Sequence, residues 1–174
     1  MGVLAEYLRA EAEQLREELH KREEAVREWL SAVGQLYDRL ERWARDADGG
    51  VGLLCTVRMP RVTLQEPRLG VYELDCLRIS LGVAGNRRAE IRPRARYVVA
   101  TIKPPGEETR RADGTVEIRG AGGVTEYYLF RLKGPGEDRW YIQSHARWHS
   151  NMLNNDVEEL SAERFEAAML QVLQ

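Results

Sequence analysis

In the stretch Arg42 to Met59, RWARDADGGVGLLCTVRM, the hydrophobic period changes from about 3.6 residues to 2. That switch decides the fold. Upstream, from Val3 to about Ala47, there is no proline. Apolar residues recur at Leu4, Leu8, Ala12, Leu15, Leu19, Val26, Trp29, Val33, Leu36, Leu40 and Trp43, with Arg22 standing where another is due. The spacing predicts one long amphipathic helix, with Gly34 as a weak point worth about 1 kcal/mol against alanine and a candidate kink. Asp48, Gly49 and Gly50 end it, because glycine takes the left-handed conformation that closes a helix.

Downstream, VGLLCTVRM places Val51, Leu53, Cys55, Val57 and Met59 on one face of a strand. Further strands are expected at RVTLQ, VYELDC, LRISLGV (Leu77, Ile79, Leu81 and Val83 facing one way), RAEIRPRA, ARYVVATIK, GTVEIRG, VTEYYLFRLK and RWYIQSHARW. Turn signals separate them at Gly85-Asn86, Pro104-Pro105-Gly106, Asp113-Gly114, Gly122-Gly123 and Gly134-Pro135-Gly136. The apolar phase slips between Tyr72/Leu74/Cys76 and Leu77/Ile79/Leu81, which predicts a bulge or break near Cys76. Ser161 caps a closing helix over 161–173 with a stripe of Phe165, Ala168, Met169 and Val172. The reading is α+β: a long N-terminal amphipathic helix over 1–48, then over 51–174 an antiparallel β meander, as a curled sheet or small barrel, with a C-terminal closing helix.

Composition narrows the function classes. The 174 residues suit one compact unit with an appendage. No signal-peptide run, membrane span or myristoylation pattern is legible, so a soluble cytoplasmic protein is expected. Cys55 and Cys76 lie apart in apolar runs and read as free thiols. Arginine supplies the basic charge except at Lys21, Lys103 and Lys133, a bias typical of GC-rich bacterial genomes. Residues 1–50 hold 8 basic and 12 acidic side chains, residues 51–147 hold 17 and 11, and residues 148–174 hold 1 and 5. A basic middle therefore lies between acidic helical flanks.

The segment WYIQSHARWHSNMLNND, Trp140 to Asp156, carries His145 and His149 four residues apart. Alternation of Trp140, Ile142, Ser144, Ala146 and Trp148 with Tyr141, Gln143, His145, Arg147 and His149 reads as a strand, in which the two imidazoles stand ~13 Å apart and share no metal ion. Tyr141, Gln143, His145 and Arg147 then form a polar face open to a partner. Arg87, Arg88, Arg92, Arg94 and Arg96 in GNRRAEIRPRARY are the candidate anion patch. Arg92, Arg94 and Arg96 are expected as a ladder on one strand face, and Pro93 marks an edge strand or bulge. The connection Ile102 to Gly114 reads as a long surface or recognition loop. A nuclease grouping of Asp113, Glu117 and Arg119 lacks the usual lysine, and no phosphate-cradling loop or nucleophile elbow occurs.

These features predict a non-enzymatic accessory module with no cofactor, metal or membrane. It pairs as a homodimer through Leu4, Leu8, Ala12, Leu15 and Leu19, a stripe of coiled-coil width, and presents a basic β surface to a partner protein. Nucleic-acid binding by the 87–96 arginines is the second reading, and a hydrolase or nuclease the third.

Overall fold

The computed structural model describes residues 2–82, 85–150 and 155–174, with the side chains of 149 and 150 left out. Helix α1 (Val3–Asp48) runs without a break for 46 residues and passes straight through Gly34. Gly49, at φ 59°, closes it with its N–H on the Asp46 carbonyl. The Asp48 carboxylate then accepts the backbone N–H groups of Gly52, Leu53 and Leu54 at 2.6–2.9 Å. These bonds lower its pKa and turn the chain into the first strand.

The elements that follow are β1 (Leu54–Val57), β2 (Arg61–Glu66), β3 (Gly70–Asp75), β4 (Leu77–Leu81), β5 (Arg88–Ala95), β6 (Thr101–Ile102), β7 (Arg110–Arg111), β8 (Thr115–Arg119), β9 (Thr125–Leu132), β10 (Arg139–Ser144), α2 (His145–Ser150), β11 (Glu158–Glu159) and α3 (Ala162–Leu173). Seven strands form an antiparallel sheet in the order β1-β4-β5-β8-β9-β10-β11, while β2–β3 and β6–β7 are separate hairpins. The sheet stays open rather than closing into a barrel. The phase slip at Cys76 is a break: its N–H, on the Pro60 carbonyl at 2.9 Å, ends the β2–β3 pairing, and at Leu77 the chain enters β4 of the seven-stranded sheet. Ser161 caps α3 as its position suggests, its Oγ accepting the Arg164 N–H at 3.2 Å. Among the described residues no helix is long and apolar enough to cross a membrane.

The core is shared by helix and sheet. Trp29, Val33, Leu36 and Leu40 of α1 are each 2% exposed or less and pack with Phe165 and Met169 of α3 on one face of the sheet, against Ile79, Ile91, Ile118 and Trp140. At about 1.5–3 kcal/mol for each large side chain, this burial docks the second half of α1. The Tyr37 hydroxyl adds direction, donating to the carbonyls of Asp75 (2.7 Å) and Ile91 (3.2 Å). The opposite sheet face is covered at one end by a smaller cluster of Ile102, Tyr128, Phe130, Leu132, Tyr141 and Val157.

Three expectations change. Val51, Leu53, Val57 and Met59 are 46–78% exposed, because β1 is an edge strand of only Leu54–Val57 and it is Leu54, in the other phase, that packs on the core. Of ARYVVATIK, Ala95 ends β5 and only Thr101 and Ile102 form a further strand, and the Ile102–Gly114 connection folds down as a hairpin that buries Ile102 and Ala112. Asp113-Gly114 does not turn the chain: Asp113 N–H and Gly114 C=O bond Arg131 and extend the β8–β9 ladder. Val83 of the expected LRISLGV face lies outside the described residues.

A polar clamp ties α1 to the sheet beside Trp29. Arg131, with a side chain 2% exposed, ion-pairs with Glu28 of α1 and with Asp138 at 2.8 Å. Burial alone would raise the Glu28 pKa. The hydrogen bond and charge of Arg131, with the charges of Arg96 and Lys133, outweigh it and hold the carboxyl below its ordinary range. Glu28→Gln leaves the guanidinium short of charge and is expected to cost about 2 kcal/mol, less than a wholly buried pair because Glu28 remains partly wet. A lowered folded-state pKa stabilises fully above about pH 4.3 and is lost as pH falls toward the folded value. Denaturant melts of wild type and variant should therefore differ at pH 7 and converge in acid. Gly114 lies under the Trp29 indole, where an added Cβ would stand 2.5 Å from Cζ3. Gly114→Ala is expected to cost about 2 kcal/mol by overpacking, read in the same melts.

Candidate functional site

Strand alternation divides the sheet residues between the α1 side and the side away from it. On the side away, beyond the cover of the smaller cluster, β4, β5 and β8 present Arg78, Arg88, Glu90, Arg92, Glu117 and Arg119. Cross-strand pairing sets Arg78 opposite Glu90 and Glu90 opposite Arg119, then Arg92 opposite Glu117. Glu117, with a side chain 4% exposed, is the centre of this face: it pairs with Arg119 at 2.6 Å and Arg94 at 3.4 Å, and accepts the Thr125 hydroxyl at 3.0 Å. Arg78 meets Glu90 at 3.8 Å. Among the described residues, Arg88 and Arg92 have no carboxylate within ion-pair distance. The face is a net-positive surface with two internal carboxylates, Glu90 and Glu117, paired to its arginines.

The expected ladder of Arg92, Arg94 and Arg96 does not form. Pairing of β5 with β8 shifts register between Pro93 and Ala95, so an extra residue enters the strand there. Arg94 stays on the open face, its guanidinium on Glu117 and 5.9 Å from the Tyr128 ring centroid. Beyond the bulge the phase is inverted, and Arg96 turns to the helix side. There it pairs with Glu28 at 3.4 Å and donates to the Asp113 carbonyl at 2.6 Å. Pro93 is at the bulge but not on an edge strand, since β5 has β4 on one side and β8 on the other. Arg87 is exposed at the start of β5, its carbonyl accepting the Leu81 N–H.

The polar face expected from Tyr141 to His149 is likewise rearranged. Tyr141 and Gln143 are buried at 3% and 7% exposure: Tyr141 packs with Ile102 and Ala112 of the folded-down hairpin, and Gln143 Nε2 donates to the Asp156 carbonyl. The strand ends at Ser144 and α2 begins at His145. His145 Nδ1 lies 3.2 Å from the Tyr128 hydroxyl, and Arg147 is exposed, with its N–H on Ser144 Oγ. Helical geometry removes the ~13 Å separation of His145 and His149, but the His149 side chain lies outside the described residues. Among the described residues no group of three His, Cys, Asp or Glu side chains could hold a metal ion. Of the nuclease grouping, Glu117 and Arg119 pair at 2.6 Å on the open face, while the Asp113 carboxylate is engaged by the Lys133 N–H.

Beside Arg94 a cleft of about 260 Å³ is lined by Thr115, Tyr128, Phe130 and Trp148. That is smaller than the roughly 300–1,000 Å³ of ordinary small-molecule sites. The strand alternation could have revealed Arg78 and Arg119, which alternate with Leu77, Ile79 and Ile118 as Arg92 does with Ile91. The central role of Glu117 depends on long-range pairing and has no local signal.

The other exposed feature is the first half of α1. Leu4, Leu8, Leu15 and Leu19 are 68%, 55%, 57% and 56% exposed, and Ala12 is half-buried only by its own helix neighbours. The buried residues of α1 begin at Trp29. Comparisons with protein-family models, with curated proteins and with solved structures found no match.

Proposed function

We propose that this chain is a non-enzymatic interaction module that oligomerises through the first half of α1, as a homodimer, and offers the arginine face of its sheet to an acidic surface of a partner protein. The observation that carries the reading is the uncovered stripe of Leu4, Leu8, Leu15 and Leu19 on a helix whose second half is fully docked. Residues 3–24 span about 33 Å at 1.5 Å per residue, and a helical segment of that length is marginal in water without tertiary cover. Pairing supplies that cover. The arginine face suits an acidic partner because Arg88 and Arg92 stand beside a surface where Glu90 and Glu117 are already engaged.

Nucleic acid is the second reading, favoured by the same open arginines. The acidic charges along α1 oppose a long polyanion there. Light scattering of the full chain should give twice the 20.0 kDa protomer mass, and Leu15→Glu/Leu19→Glu should return it to one protomer. A monomeric wild-type chain at ~100 µM, well above ordinary dimer dissociation constants, overturns the pairing. For the face, fluorescence anisotropy at ~50 mM salt with polyglutamate and with mixed RNA and DNA pools separates the two readings. Polyglutamate binding that Arg88→Glu/Arg92→Glu abolishes supports the first. Nucleic-acid binding with a log–log salt slope of about −0.7 per single-strand phosphate contact supports the second.

A further inference from the structure

This inference rests on the reading of α1 as a pairing helix and concerns its occupant and direction. From Leu8 through Leu15, Arg22, Trp29 and Leu36 to Trp43 the heptad spacing is continuous, with a second apolar series between them at Ala12, Leu19, Val26, Val33 and Leu40. From Val26 onward this seam is filled by the chain's own sheet and α3. Before it, the seam is open. A second helix laid parallel on the open segment would run on into the volume of the β domain, whereas an antiparallel helix ends where the domain begins.

The side-chain sizes point the same way. About a two-fold axis between Glu13 and Gln14, Leu8 faces Leu19 of a second copy and Ala12 faces Leu15. The axis repeats both layers, so each alanine meets a leucine. The same register brings the first turn of one helix, Val3 to Glu6, level with Lys21 to Glu24 of the other.

We propose that a second copy of this chain covers the open half of α1 as an antiparallel two-fold dimer centred between Glu13 and Gln14. The flanks make the orientation measurable. The antiparallel register sets Arg9 beside Arg16 of the second copy and Glu11 beside Glu18, like charges that added salt screens. A parallel register would set Glu11 against Arg16 and Glu18 against Glu23, an attraction and a repulsion whose salt responses oppose each other.

The test uses the full chain carrying Cys55→Ser, Cys76 being fully buried, with Leu8→Cys or Leu19→Cys added. Under mild oxidation an equal mixture of the two variants should give a disulfide-linked dimer and neither variant alone should, because two copies of one cysteine then stand about 16 Å apart along the helices. Light scattering of the unsubstituted chain should show the dimer dissociation constant falling severalfold between ~50 and ~500 mM salt, where the Debye length shrinks well below 10 Å. Linkage of either variant to itself, with no linkage gained in the mixture, overturns the antiparallel arrangement and leaves helix pairing standing. A monomer at every salt concentration overturns both.

Discussion

The Glu28–Arg131 pair is the contact on which the rest of the molecule depends. Arg131 lies in β9, a central strand, with its guanidinium in the core side of the sheet, where an unpaired charge is prohibitive. Glu28 from α1 and Asp138 from the turn before β10 supply the counter-charge, and Arg96 and Lys133 close on Glu28 from the loops. One residue on, Trp29 packs against Trp140 at a ring-centroid distance of 6.4 Å and covers Gly114. Hydrophobic burial makes α1 adhere, and this clamp sets its register along the sheet. It also fixes where adhesion stops: N-terminal to Ala25 the helix leaves the domain.

The bulge at Arg94 is the second determinant, because it separates arginines that look equivalent in the chain. An ordinary strand would send Arg92, Arg94 and Arg96 to one face. The extra residue leaves Arg92 and Arg94 outside and sends Arg96 inward, where it joins the Glu28 clamp. The open arginine face and the helix-docking site are thus built from one arginine run. The face keeps its charge without self-repulsion because the buried Glu117 carboxylate holds Arg94 and Arg119 together.

The large elements were legible in the sequence for local reasons. Helical spacing from Leu4 to Trp43, the Asp48-Gly49-Gly50 stop, the Ser161 cap and the alternation in RAEIRPRA are signals that need no partner. What sequence missed depends on contacts between distant segments. Tyr141 and Gln143 alternate like an outer face, yet the 102–112 hairpin packs Ile102 and Ala112 with Tyr141, and the Asp156 carbonyl takes the Gln143 amide. His145 continues the alternation on paper, but α2 starts there and docks Trp148 on Phe130 at 4.6 Å. Val51 to Met59 alternate like a core strand, and only the strand order reveals β1 as an edge. Among the candidate residues, Arg88, Arg92 and Arg94 share the open face, while Arg96, Tyr141 and Gln143 are structural.

The account assigns α1 two halves with different support: one held by its own domain, the other by a second helix. Residue-resolved hydrogen exchange at two protein concentrations tests that division most directly. The account requires strong protection for the amides of residues 29–44 at both concentrations. It also requires amides of residues 8–22 to exchange rapidly in the dilute monomer and to gain protection on concentration. Equal protection of both halves in the dilute monomer would contradict it.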